Sequence, residues 1–127
     1  MSIKDSNSRY QNWVSFMELN KGLKISHHTK MTIKQEYAKL AEIETRTRQL
    51  LSTTAIPTFL NFYYLAFARE IYGLTRRYQD TNLTREIDIV LYKWQSRGLM
   101  SQVLLQIKEQ VLHVCGLGSS TAQKSPS

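Results

Sequence analysis

The sequence is short of nearly everything that names a chemistry. It holds one cysteine, Cys115, in 127 residues, so no intramolecular disulfide can staple the fold. A lone thiol fits a reducing compartment. Its five glycines, Gly22, Gly73, Gly98, Gly116 and Gly118, form neither G-x-G-x-x-G nor G-x-x-x-x-G-K-[ST], which removes the usual phosphate-cradling loops. No stretch alternates apolar and polar residues between hairpin turns, which excludes an ordinary β-sheet. The opening residues lack an apolar h-region and do not read as a secretory signal. The longest uncharged apolar run, Leu50 to Ala68, is interrupted by Ser52, Thr53, Thr54 and Pro57; a spanning helix needs about 20 mainly apolar residues. The chain reads as cytoplasmic, without membrane insertion.

What remains is the composition of one helical domain. Apolar residues make up 42% and aromatic residues 10% of the chain, enough for a core that buries roughly two-thirds of the unfolded surface. The net charge is +7, and its distribution matters more than its size. Residues 1–35 carry +4, 57–79 carry +2 and 99–127 carry +1, while 36–56 and 80–98 balance. No dense basic run exists.

The fold class expected is all-α: an antiparallel four-helix bundle with an N-terminal irregular or short-helical extension. The extension spans 1–31, with a short helix near 9–19. There Trp13 and Phe16 share a face that can dock on the main body, and Lys24–Met31, with His27 and His28, reads as a loop. Thr32 and Gln35 match a capping box and open a helix over about 32–52. Ile33, Tyr37, Leu40, Thr47 and Leu51 recur on its inner face, with Ile43 and Leu50 beside them. Glu42 with Arg46 and Glu44 with Arg48 form i,i+4 pairs on a solvated outer face. Pro57 suits the first turn of a second helix, expected over 57–79. Leu60, Tyr64, Phe67, Ile71, Leu74 and Tyr78 line its core stripe. Leu83, Ile87, Val90, Leu91 and Trp94 define a third helix, 82–97, closed by Gly98. Leu104, Ile107, Val111 and Val114 define a fourth, 101–115, with Gln102, Gln106, Glu109, Gln110 and His113 on its polar face. Residues 117–127 read as a disordered tail. Arg69-Glu70-Ile71 and Arg85-Glu86-Ile87 share a template that two helices meeting the same core demand explain without a repeat.

Candidate sites are few. His27 and His28 are adjacent, so on a helix they diverge by about 100°, unlike paired metal ligands. Glu109 and His113 lie i,i+4, but on the polar face and with no second Glu-x-x-His. Cys115, at an apolar helix end, reads as a small buried hydrophobe rather than a nucleophile. No catalytic residue, cofactor or metal is assigned, and the chain is not expected to be an enzyme. A helix-turn-helix over Leu83–Val114 would present Gln102, Gln106 and Lys108 to a groove, a poor base-reading set.

Two surfaces stand out. Phe59, Phe62, Tyr63 and Ala66 give the second helix an apolar face beyond its core stripe. A helix apolar nearly all round must be covered on more than one side, and tyrosine and phenylalanine are enriched at interfaces. The leading functional expectation is therefore a non-enzymatic helical interaction or assembly module, self-associating or docking another protein through this face. The alternative is a nucleic-acid-binding accessory protein. Lys24, Lys30, Lys34, Arg76 and Arg77 would contact phosphates of RNA or DNA, with Tyr10, Trp13 and Tyr78 as stacking surface. Against it, Arg46, Arg48, Arg76, Arg77 and Arg97 fall in the last turns of the expected helices, where cations complement the helix dipole without any ligand.

Overall fold

The computed structural model describes residues 3–117. Of these, 82% are helical and no strand occurs among them; neighbouring helices pack as in an all-α bundle. The α-helices are α1 (Ile3–Ser15), α2 (His27–Ser52), α3 (Asn61–Arg77), α4 (Asp80–Ser96) and α5 (Ser101–Val114). A π-helical turn, Phe16–Asn20, extends α1, and a 3-10 turn, Thr58–Leu60, precedes α3. The chain divides into two compact units, Met1–Thr45 and Arg46–Ser127, with the division inside α2. The expected tail lies outside the described residues from 118 onward.

In the first unit α1 is longer than the expected short helix. Its buried stripe is Ser6, Tyr10 and Val14, an i, i+4, i+8 set. Trp13 is only half-buried and Phe16 is exposed, so the expected Trp13–Phe16 docking face is not the one used. The chain then turns back. Lys34 Nζ stands 5.9 Å from the centre of the Tyr10 ring, and Lys30 Nζ lies 3.2 Å from Glu18 Oε2. These pairings run α1 and the start of α2 in opposite directions, as a helical hairpin.

The expected loop at Lys24–Met31 holds only through Ser26 and is corrected beyond it: His27 and His28 open α2. Ser26 Oγ accepts the Thr29 backbone N–H at 3.1 Å, satisfying one of the free donors of the first turn. Thr32 is therefore already inside the helix, where its hydroxyl donates to the His28 carbonyl oxygen at 3.1 Å. No capping box forms at Thr32. The expected inner face of α2 holds at Thr47 and Leu51, which are buried, while Ile33, Tyr37 and Leu40 are half-buried. Ala41, Ile43, Glu44, Thr47 and Leu51 are buried, Glu44 to 1% exposure, so Glu44 is not on a solvated outer face. Because α2 runs to Ser52, Arg46 and Arg48 fall short of its last turn.

The second unit follows the sequence closely. The connections after Arg77 and after Ser96 are short, which makes successive helices antiparallel neighbours; α3 packs on both α4 and α5. Tyr64, Phe67, Ile71 and Leu74 of α3, Leu83, Ile87, Val90, Leu91 and Trp94 of α4, and Leu104, Ile107 and Val111 of α5 are buried and form the core. Each such side chain contributes about 1.5–3 kcal/mol on full burial. Val103 is also buried and widens the expected stripe of α5. Helix α4 begins at Asp80 rather than residue 82; Asp80 has φ 51°, a left-handed conformation that aspartate tolerates better than most residues.

Two glycines end helices as expected, and the hydrogen bonds say how. Gly98 N–H donates to the Gln95 carbonyl at 3.0 Å and Leu99 N–H to the Trp94 carbonyl at 3.3 Å. Gly116 N–H reaches His113 O at 2.9 Å and Leu117 N–H reaches Leu112 O at 2.7 Å. Both are Schellman motifs, which require a left-handed residue at the turn; Gly98 has φ 97° and Gly116 φ 78°.

Candidate interaction surface

The N-terminal end of α3 is built in two steps. Pro57, with φ −57° and ψ 133°, is still extended, so the helix does not start there as expected. The Leu60 N–H closes a 3-10 turn on the Pro57 carbonyl at 2.9 Å, and α-helical bonding takes over at Asn61. This entry puts Phe59 on the turn and Phe62 and Tyr63 on the first turn of α3. Phe59 is 75% exposed, Phe62 68% and Tyr63 45%; Ala66 is half-buried. Phe62 and Tyr63 meet edge to face, with ring centres 5.7 Å apart and planes at 79°, an arrangement the ring quadrupoles favour. At roughly 150–250 Å² per aromatic side chain, the three rings leave about 300–450 Å² in water. Within the unit, Tyr64 turns inward one residue beyond this patch. Its hydroxyl accepts the Met100 N–H at 3.0 Å, so the loop before α5 is tied to the same end of α3. Met100 is itself exposed.

Along α3 one stripe carries Tyr63 and Ala66 on to Glu70, which faces α4. The Glu70 carboxylate accepts Lys93 Nζ at 3.0 and 2.7 Å and Trp94 Nε1 at 2.9 Å. The Arg97 guanidinium lies over the Trp94 ring at 5.0 Å. Partial burial pushes the Glu70 carboxyl up, but hydrogen bonds from Lys93 and Trp94 and the charges of Lys93 and Arg97 together hold it below the ordinary glutamate value. Such a carboxylate is a fixed anion that locks α3 to α4 beside the aromatic patch, not a proton carrier near neutrality. In the sequence Glu70 stands only within a repeat-like template and Arg97 only at a helix end. The available signal was the spacing of Lys93, Trp94 and Arg97, which puts a cation, an indole N–H and a second cation along one edge of α4.

The expected phosphate contacts divide between the units. Lys24, Lys30 and Lys34 belong to the first. Lys24 is exposed, Lys30 is engaged by Glu18 and Lys34 by the Tyr10 ring. Arg76 and Arg77 belong to the second, both exposed in the last turn of α3. Arg77, Tyr78, Gln79, Asp80, Thr81 and Asn82 line an open depression of about 410 Å³ there. Of the expected stacking rings, Tyr10 is buried and Trp13 and Tyr78 are half-buried, so none offers a free face comparable to Phe59.

The remaining candidates are spread out. His27 and His28 are exposed at the start of α2, and Glu109 and His113 are exposed on α5. No group of three metal-ligating side chains occurs among the described residues. Cys115 is half-buried rather than buried, its Sγ 3.7 Å from Thr75 Oγ1. No described helix is long and apolar enough to cross a membrane. Comparison with protein-family models, curated proteins and solved structures gave no match.

Proposed function

We propose that this chain is a non-enzymatic helical assembly module that self-associates through the face formed by Phe59, Phe62, Tyr63 and Ala66. One observation carries the reading: three aromatic rings stand 45–75% exposed at one end of a unit whose other α3 aromatics are buried. An exposed aromatic patch of about 300–450 Å² is of the size that often marks a functional surface on a protein. A standard interface buries about 800 Å² per partner, so the patch supplies about half of one side, at the centre where aromatic anchors dominate binding. A second copy of the chain is the partner we infer, because a two-fold axis that sets Phe62 of one copy against Tyr63 of the other repeats the same aromatic contact in reverse. Light scattering at tens of micromolar should give a mass at or above twice that of the 14.8 kDa chain. A monomer mass at every concentration would remove the reading.

Nucleic-acid binding is the second reading, supported by Arg76 and Arg77, exposed side by side at the end of α3. It requires binding to RNA or DNA that weakens steeply with salt and is lost in the Arg76→Glu/Arg77→Glu variant.

A further inference from the structure

The tip of the α1–α2 hairpin carries a second apolar surface, distinct from the aromatic patch and of different chemistry. The π-helical turn Phe16–Asn20 has no buried residue, although it contains Phe16, Met17 and Leu19. Leu19 is 81% exposed, and Phe16, Leu23 and Met31 are each about half exposed. A π-turn inserts an extra residue into the helix and so rotates the side chains that follow; such turns are frequent at functional sites. Gly22, with φ 68°, then turns the chain, and the Leu23 N–H donates to the Met17 carbonyl at 3.0 Å, which ties Leu23 back to the π-turn.

Cations surround these side chains. Lys21 Nζ lies 5.4 Å from the centre of the Phe16 ring, and Lys24 is exposed on the connecting segment. Glu18 is the one acid between residues 16 and 31, and Lys30 already neutralises it at 3.2 Å. The tip therefore presents leucine and phenylalanine side chains fringed by lysines, with no uncompensated carboxylate.

That pairing selects among occupants. A nucleic acid would engage the lysines but leave Leu19 and Leu23 in water. A second copy of the tip would bring Lys21 and Lys24 against their own counterparts. An anionic bilayer accepts both components, because its headgroup–acyl boundary takes apolar side chains while its surface potential attracts the lysines. We propose that the α1–α2 tip docks peripherally on anionic lipid surfaces. Phe16, Leu19 and Leu23 enter the interface, and Lys21 and Lys24 meet the headgroups. The contact is superficial and needs no spanning helix.

The test is co-sedimentation of the full chain with vesicles of phosphatidylcholine alone and of phosphatidylcholine containing about 30% phosphatidylserine. Binding is expected to the anionic vesicles and not to the neutral ones, and it should weaken as salt is raised. Leu19→Ser/Leu23→Ser and Lys21→Glu/Lys24→Glu should each lower affinity about tenfold or more. Both pairs are exposed, so far-ultraviolet circular dichroism should match the wild-type chain, and the salt titration of the wild type needs no variant at all. Absence of binding to anionic vesicles at low salt would overturn the proposal. So would binding unaffected by the leucine pair, or tighter binding to single-stranded RNA than to the vesicles at the same salt.

Discussion

Replacing Glu70 by alanine removes three hydrogen bonds at once, and their settings differ enough to estimate each. The Lys93 and Glu70 side chains are 40% and 33% exposed, so their ion pair contributes about 0.5–1 kcal/mol after solvent screening. Trp94 is a core residue, and its indole N–H loses its acceptor, which costs about 1–2 kcal/mol. Glu70→Ala should therefore destabilise the protein by about 1.5–3 kcal/mol. Glu70→Gln keeps an amide oxygen for Trp94 Nε1 and removes only the charge, so its loss should be about 0.5–1 kcal/mol. The pH dependence separates the two effects. The Glu70 carboxyl is held below its ordinary value in the folded chain, so its ionised form stabilises folding above the unfolded value of about 4.3. That stabilisation is lost as pH falls through the folded value. Urea denaturation at fixed, low protein concentration should thus show the full wild-type-minus-Gln difference near neutral pH, shrinking in acid. Equal midpoints for wild type and Glu70→Ala, or a wild-type-minus-Gln difference that grows as pH falls, would show that the Glu70 carboxylate does not lock α3 to α4.

Other consequences follow from single contacts. Tyr64→Phe leaves the Met100 N–H without the acceptor it has at 3.0 Å and should cost about 1–2 kcal/mol in the same denaturation assay. Gly98→Ala and Gly73→Ala should move stability in opposite directions. An added Cβ at Gly98 meets nothing within 4 Å, so φ 97° alone sets a cost of about 1–2 kcal/mol. Gly73 lies inside α3 with Arg77 Nη2 4.0 Å from that position, and alanine there should stabilise by about 0.5–1 kcal/mol. Ser26→Ala removes the acceptor for the Thr29 N–H and should cost about 1 kcal/mol, with amide exchange rising first at residues 27–30.

The second unit was legible because its helices bury regular stripes and end on glycines. Leu83, Ile87, Val90, Leu91 and Trp94 are all buried as their spacing requires, and Gly98 and Gly116 adopt the left-handed caps that glycine favours. The first unit was harder for specific reasons. Ser6 occupies the first position of the buried α1 stripe, so the Tyr10–Val14 periodicity looks interrupted, and Trp13 and Phe16 offer a more apolar but wrong alternative. Thr32 and Gln35 spell a complete capping box, whereas the Ser26 cap that forms is followed by two histidines that carry no strong helix signal. Glu44 pairs by sequence with Arg48 on an outer face, yet it is buried, which i,i+4 spacing alone does not foresee. At the candidate surface the aromatic excess at Phe59, Phe62 and Tyr63 was visible in the sequence. The Glu70 lock beside it needed the register between α3 and α4, which no single helix contains.

Sedimentation velocity over a concentration series bears most directly on the assembly reading, with the wild-type chain run beside Phe59→Ser/Phe62→Ser and Tyr92→Ser. Tyr92 is an equally exposed ring on the outer face of α4 and serves as the control. A dimer or larger species is expected for the wild type and for Tyr92→Ser, and a monomer for the Phe59/Phe62 variant. A wild-type chain that stays monomeric, or a Phe59/Phe62 variant that associates as the wild type does, would contradict it.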